Sequence, residues 1–205
     1  ASDVYKRQEA AINYGADELY CGFSMEKRED DEFSELDRQA CHVGRKELEK
    51  ICNLANKRGC PVYLTFNTFY SEEQIPLVFS HIKRAEELGV DGFILSDLGL
   101  ISLLKNEGIR GKIIISILGT TFNSRTIKFY KEMGAKRIIL ASHLTIPEII
   151  HITHLSKEIE IEVMILNYGC FYEDGFCTFL HHSSISPDSL RSSLMLKGRK
   201  KAMTL

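Results

Sequence analysis

Short apolar runs alternate with longer amphipathic stretches along most of the chain. Each run is rich in β-branched or aromatic residues, and four of the runs closely follow a glycine (Gly15, Gly59, Gly89 or Gly134), as in "RGCPVYLTFN" at 58–67 and "LGVDGFILSD" at 88–97. Glycine adopts the left-handed conformation that ends a helix at little cost, so the pattern predicts a helix, a stop and a strand in repetition. The predicted strands are 17–22, 61–67, 90–95, 112–116, 136–141 and 160–166.

The segments between these strands have the period of a helix. Apolar positions recur at i, i+3, i+4 and i+7 in 44–58 and again in 72–88. Pro76 conflicts with an early start of the second helix, because proline fits only the first turn. That helix therefore begins near Ile75, or its first turn is kinked.

Strands that alternate with helices imply right-handed crossovers and a parallel sheet. The strands lack a clean alternation of apolar and polar residues, which is typical of strands buried on both faces. Two architectures remain, an open doubly wound sheet and a (β/α) barrel. No Gly-x-Gly-x-x-Gly follows any strand, which disfavours a dinucleotide-binding sheet. We predict an α/β fold, an incomplete parallel (β/α) barrel of TIM type with about six strands and its first strand missing.

Composition narrows the class of protein. The 205 residues fit one domain, 44% are hydrophobic and 26% are charged, and the net charge of −2 gives no general attraction to nucleic acid or to an anionic membrane. No apolar run approaches the ~20 residues of a membrane span. Six cysteines without a visible export signal predict a reducing, cytoplasmic location, where clustered cysteines suggest metal binding or catalysis.

Both ends of the sequence have unusual features. The hexapeptide "DVYKRQ" at 3–8 matches the translation of a transposon-end adapter used to fragment DNA for sequencing. We therefore predict that residues 1–8 are a sequencing artefact and exclude them from the fold prediction. The predicted barrel domain covers 9–180, and 181–205 is an irregular tail or a truncated continuation.

In either architecture, chemistry collects at the carboxyl ends of the parallel strands. The candidate catalytic residues are at the ends of three predicted strands: Asn67 is the last residue of one, and Asp97 and His143 follow two others. Each has a structural alternative. Asp97 is placed to cap the following helix, and Asn67 is placed to hold a turn.

Cys170 and Cys177 follow the last predicted strand, in "NYGCFYEDGFC" at 167–177. Two thiolates on one glycine-containing loop are suited to a soft metal or an iron–sulfur cluster. Such a site normally needs four ligands, and no cysteine follows Cys177. From spacing alone, two buried apolar thiols or a labile disulfide remain as alternatives.

An ordered set of segments carries a resemblance to a known family. They are "AAINYGADELYCG", "RGCPVYLTFNTF", "ELGVDGFILSDLGLISLLK", "TFNSRTIKFYKEMGAKRIILAS…LTIPEI" and "IEIEVMILNYGCFYEDGFC". Together, over about residues 9–180, they resemble the amino-terminal half of the collagenase-like peptidases, peptidase family U32. The resemblance implies a TIM-like barrel whose first strand precedes residue 9. It also implies that Cys170 and Cys177 are two of four thiolate ligands of a [4Fe–4S] cluster, the other two lying in a downstream carboxyl-terminal half.

The resemblance implies two different chemistries. The family name refers to peptide-bond cleavage of collagen, whereas other members resemble oxygen-independent hydroxylation factors that act on RNA bases or on quinone precursors. We expect an iron–sulfur enzyme of the second type, with structured RNA or a small aromatic molecule as its substrate and no membrane partner. A true peptidase and a non-catalytic binding barrel are the alternatives. Ser142-His143 and Asn167-Tyr168 depart from the Arg-Glu and His-Gly pairs common in the family, so the substrate does not transfer.

Overall fold

The structure, a computed structural model, describes residues 2–23 and 42–165. Helices and strands alternate through both ranges, with one 3₁₀ turn at Ile117–Gly119. The helices are α1 Ser2–Asn13, α2 Arg45–Asn56, α3 Ile75–Glu87, α4 Leu98–Asn106, α5 Ser124–Glu132 and α6 Ile146–Leu155. The strands are β1 Leu19–Phe23, β2 His42–Val43, β3 Val62–Phe66, β4 Gly92–Leu95, β5 Lys112–Ile115, β6 Arg137–Ile139 and β7 Glu160–Glu162.

The strands form one parallel sheet in the order β2-β1-β3-β4-β5-β6-β7. All six predicted strands are confirmed, and the two-residue strand β2 is an addition. Among the described residues the sheet is open, with β2 and β7 at its edges. This is the arrangement expected for part of a (β/α) barrel, and it confirms the predicted α/β class.

Helix boundaries follow the glycine and proline signals of the sequence. The four glycines that were predicted to end helices all have positive φ, and they are Gly15, Gly59, Gly89 and Gly134. Pro76 lies in the first turn of α3, which begins at Ile75, so the conflict in the sequence is resolved by a late helix start. Helix α1 runs through residues 2–8, which the fold prediction left out.

All six helices pack on one face of the sheet. The main core contains apolar side chains from each helix together with alternate strand residues such as Leu64, Leu95 and Ile115. The intervening strand residues Ile94 and Ile114 belong to a separate, smaller cluster that contains strand residues and receives Ile117 from the 3₁₀ turn. A doubly wound sheet has helices on both faces, so this one-sided packing favours the barrel.

The second face, which we call the inner face, is strongly curved. Arg137 at the start of β6 makes a bidentate ion pair with Glu18, which immediately precedes β1. Strands β3, β4 and β5 lie between β1 and β6, a separation of about 19 Å along a flat sheet. Two side chains do not bridge that distance with a hydrogen bond of 2.7 Å unless the sheet curls as it does in a barrel.

Among residues 2–23 and 42–165, no helix is both long and apolar enough to cross a bilayer.

Candidate functional site at the carboxyl edge of the sheet

The three candidate catalytic residues lie at the carboxyl edge of the sheet, as predicted. Asn67 directly follows β3 and is half-buried, Asp97 follows β4 by two residues, and His143 lies in the exposed turn after β6. Strands β3 and β4 are neighbours, so Asn67 and Asp97 lie close in the fold. His143 is separated from them by β5.

Asp97 is occupied by backbone contacts. One carboxylate oxygen accepts a 2.8 Å hydrogen bond from the Leu100 backbone N–H, and this caps α4. The other oxygen accepts from the Tyr70 backbone N–H at 3.2 Å. The carboxylate therefore joins the loop after β3 to the start of α4, in agreement with the structural alternative considered for this residue.

A layer of polar side chains tops the inner face at this edge. Phe66 pairs with Leu95, and Leu95 pairs with Ile115, so the next residues Asn67, Ser96 and Ser116 continue three adjacent strands at the same level. Ser96 and Ser116 are both buried. The apolar cluster that includes Ile94 and Ile114 lies one layer deeper. The inner face therefore has a hydrophobic floor below a neutral, hydrogen-bonding rim.

The loop after β5 is fixed in place by several backbone contacts. Gly119 donates to the Ser116 carbonyl at 2.8 Å, and the Tyr130 hydroxyl from α5 donates to the Gly119 carbonyl at 2.9 Å. A Cβ on Gly119 would lie 2.5 Å from the Ile115 side chain, so this close packing requires glycine. The next residue, Thr120, has φ of 52°, a conformation that β-branched residues rarely adopt.

Sequence reasoning missed two features of this edge. Thr121, two residues after Gly119, is fully buried, and its carbonyl accepts from the backbone N–H of Ala141, two residues after β6. Phe69, two residues after Asn67, is a large aromatic side chain that is 56% exposed. Neither residue has a spacing or motif that distinguishes it, although an aromatic residue in a strand-end loop is a signal that could have been weighed.

The predicted cluster ligands Cys170 and Cys177 lie outside the described residues. Cys21 lies within β1 and is buried in the main core. Burial raises the pKa of Cys52 to about 12, so this thiol is chemically inert. Within residues 2–23 and 42–165, no group of three or more His, Cys, Asp or Glu side chains could hold a metal ion.

The opposite, amino end of the inner face holds a cluster of charges, which we call the amino-end ion cluster. Arg137 contacts Glu18, Glu160 and Glu162, and Lys112 contacts Glu160 at 2.5 Å. The hydrogen bond from Arg137 lowers the pKa of Glu18, and that from Lys112 lowers the pKa of Glu160. An open cavity of about 400 Å³ borders this cluster. In barrels this end serves stability, whereas catalysis uses the carboxyl end.

Comparison with known protein families identifies the chain. A family model described as peptidase family U32 matches residues 4–189. The chain belongs to peptidase family U32. Its fold is also that of a solved U32 peptidase, with a TM-score of 0.50 over 72% of this chain and 67% of that one, at 17% sequence identity.

Two curated relatives show the spread of names within the U32 family. The tRNA hydroxylation protein P of Escherichia coli is 29% identical over 175 residues, and an uncharacterized protease of Methanocaldococcus jannaschii is 32% identical over 171 residues. These matches cover 84% and 82% of this chain but 36% and 39% of the relatives. The chain therefore spans well under half the length of these two curated relatives.

Proposed function

We propose that this U32 protein is an RNA-modifying enzyme of the hydroxylation type, with its substrate at the carboxyl edge of the sheet. The observation that carries the proposal is the similarity, over 84% of the chain, to a protein named for tRNA hydroxylation. The neutral rim formed by Asn67, Ser96 and Ser116 is suited to binding an uncharged polar ring. The charges of the amino-end ion cluster lie at the other end of the inner face.

We include an iron–sulfur cluster in this proposal, with Cys170 and Cys177 among its ligands. Two cysteines in a glycine-containing loop after a predicted strand support it, together with the family resemblance. When bound, such a cluster supplies electron transfer. Replacing a C–H bond by a C–OH bond with water as the oxygen donor releases two electrons and two protons, and the electrons must pass to an external acceptor. This requirement suits a redox centre better than the activated water of a hydrolase.

The decisive experiment compares tRNA nucleosides from cells that have or lack the gene. The full-length protein is returned as wild type or as Cys170→Ala, and digested tRNA is analysed by mass spectrometry. We expect a nucleoside heavier by one oxygen atom with the wild type and its loss with Cys170→Ala. Anaerobically purified wild-type protein is expected to contain iron and sulfide. Identical nucleoside profiles with and without the gene would refute the RNA-modifying function.

The same samples test the peptidase alternative, which the name of the archaeal relative keeps relevant. Gelatin and peptide cleavage is measured for the wild type and for Cys170→Ala. Cleavage that survives the substitution, without any change in tRNA, would favour a peptidase. Tight binding of structured RNA without turnover would favour a binding barrel.

A further inference from the structure

The outer face of α2 carries a row of polar residues, which we call the α2 stripe: Lys46, Lys50, Asn53 and Lys57. They recur at i, i+4, i+7 and i+11, so they lie along one line of the helix, with Lys57 as its helical C-cap residue. All four are exposed. The buried residues of α2 are on the opposite side of the helix, and they are Leu48, Ile51, Cys52 and Ala55. The stripe therefore faces solvent, away from the sheet.

The charge of this stripe is not neutralised by the protein. Within residues 2–23 and 42–165, no carboxylate forms an ion pair with its lysines, whereas six other basic side chains are paired: Lys83, Arg84, Arg110, Lys112, Lys131 and Arg137. Glu47, on the same helix, accepts instead from the Gly44 backbone N–H at 3.3 Å. Residues 45–58 contain five Lys or Arg and two Glu, a net charge of +3 in a chain whose net charge is −2. Positive charge is therefore concentrated on α2.

Two features of this arrangement act against the stability of the helix. Lys46 and Lys50 are like charges at i, i+4, where side chains are neighbours on the helix surface. Arg45 and Lys46 lie in the first turn, where the helix dipole favours negative side chains. Residues that disfavour the local structure in this way are expected at functional surfaces. A polyanionic partner would relieve both effects.

The stripe starts at the edge of the sheet where the proposed substrate lies. Strand β2 ends at Val43, which is paired with Phe23 at the end of β1, so α2 begins at the carboxyl edge. From Lys46 to Lys57 the stripe is about 16 Å long, at about 1.5 Å per residue. The described loops of that edge, 67–74, 96–98, 116–123 and 140–145, contain no Lys or Arg. The phosphates of an RNA bound there must therefore be held by another surface.

The composition of this helix face favours nucleic acid over a membrane. A helix that binds an anionic membrane surface needs large apolar side chains beside its cations. The exposed residues of α2 include none, and they are Arg45, Lys46, Glu49, Lys50, Asn53 and Asn56. Lysine and arginine neutralise phosphates, and asparagine donates hydrogen bonds to phosphate and sugar oxygens.

We propose that the α2 stripe binds the phosphate backbone of the RNA substrate. This inference rests on the proposed function and specifies the surface that holds the RNA outside the carboxyl edge. Contacts with phosphates carry no sequence information, so the stripe contributes affinity and orientation rather than the choice of base. Each lysine that neutralises a phosphate releases a counterion, and the affinity therefore falls as salt concentration rises.

The test uses the full-length protein with Lys46→Gln, Lys50→Gln and Lys57→Gln combined, which we call the stripe variant. The matched control replaces three other exposed lysines that form no ion pair with described residues, also by glutamine: Lys128, Lys136 and Lys157. The Kd for an unmodified tRNA transcript is measured at several KCl concentrations. Melting temperature without RNA and binding to vesicles that contain phosphatidylserine are measured for the same proteins.

We expect the association constant of the stripe variant to depend less on salt. The slope of its logarithm against log[KCl] should be smaller by about 2, at about 0.7 for each lost phosphate contact. At about 0.1 M KCl the stripe variant should bind tRNA about 100-fold more weakly than the wild type, and each single substitution should weaken binding about 5-fold. The control should keep nearly the wild-type affinity and slope. Both variants should melt near the wild-type temperature, because exposed side chains contribute little to stability.

Three results would overturn the inference. The first is a wild-type Kd and salt dependence in the stripe variant, and the second is an equal loss in the control, which would show an effect of net charge alone. The third is binding to the vesicles that is lost in the stripe variant while its tRNA affinity is unchanged. If the stripe binds tRNA but no hydroxylated nucleoside forms in cells, the inference stands and the proposed function fails. If tRNA is hydroxylated but the stripe variant binds it as tightly as the wild type, the inference fails and the proposed function stands.

Discussion

The ion pair between Arg137 and Glu18 joins β6 to the residue before β1 across the curved sheet, so replacing Arg137 by methionine tests this arrangement. Methionine keeps much of the side-chain length but leaves the carboxylates of Glu18, Glu160 and Glu162 with less compensating charge. The Arg137 side chain is 13% exposed, whereas that of Glu18 is 38% exposed and that of Glu160 is 55% exposed. Solvent therefore screens much of the resulting repulsion.

Breaking a fully buried ion pair costs about 3–5 kcal/mol, and screening at half-exposed carboxylates reduces this to about 2–3 kcal/mol here. For a chain of this size, we expect Arg137→Met to lower the melting temperature by about 5–10 °C. The direct assay is urea denaturation of the full-length protein, in which the midpoint should fall while the slope stays constant.

A double-mutant cycle isolates the contact across the sheet. The cycle of Arg137→Met with Glu18→Gln should give a coupling energy of about 1–2 kcal/mol, because the pair is bidentate and charge-assisted. The cycle of Arg137→Met with Glu160→Gln is the matched control, since β6 and β7 are neighbours in any architecture. The barrel argument would fail if the Arg137 and Glu160 substitutions were coupled while the effects of the Arg137 and Glu18 substitutions on stability simply added. That result would show that β1 does not approach β6.

Three further predictions concern the same scaffold. Gly92→Ala should destabilise the protein by about 3 kcal/mol in urea denaturation, because the new Cβ would lie 2.4 Å from the Lys112 carbonyl oxygen. Gly44→Ser is the control and should leave stability nearly unchanged, because no atom lies within 4 Å of the position of a Cβ at Gly44. Cys52, with its pKa raised by burial to about 12, should resist iodoacetamide at pH 8 in the native protein, and labelling detected by peptide mass spectrometry would contradict its burial. The pKa of Glu18 is lowered in the folded state, so the ionised carboxylate stabilises the fold fully above the ordinary pKa of 4.5, and this stabilisation is lost as the pH falls through the lower pKa of the folded state. The stability of Glu18→Gln should therefore fall less steeply in acid than that of the wild type. An unchanged dependence of stability on pH would refute this role of Glu18.

The order of elements could be predicted because its signals are local. A helix-ending glycine and an apolar run occur within a few residues of each other, and each of the predicted strands is present. Strand ends were less accurate. Strand β6 was predicted at 136–141 and covers Arg137–Ile139, because pairing with neighbouring strands, rather than apolar content, decides where a strand ends. Strand β2 has two residues, too few to show any period.

The layers of the inner face could not be predicted, because their contacts are not local. Arg137 lies in the otherwise apolar run "RIILA", and its partner Glu18 is 119 residues away along the chain. Ser96 directly follows β4, but the lack of a hydrogen-bond partner for its hydroxyl is a property of the packed fold. Thr121 gave no sequence signal, since one more hydroxyl in "LGTTFN" is ordinary for a loop.

The two ends of the inner face differ in how well their polar groups are satisfied. At the amino end, Arg137 and Lys112 are paired with carboxylates, so a ligand there would have to replace strong existing contacts. At the carboxyl edge, Ser96 and Thr121 each leave a hydrogen bond unmade, at a cost of about 1–3 kcal/mol per group. A nucleoside that binds only the folded protein, as the proposed function expects, stabilises the fold by about 2.7 kcal/mol at a concentration of 100 times Kd. Nucleosides should therefore raise the melting temperature of the wild type, and an unchanged melting temperature at such a concentration would count against the proposed RNA-modifying function.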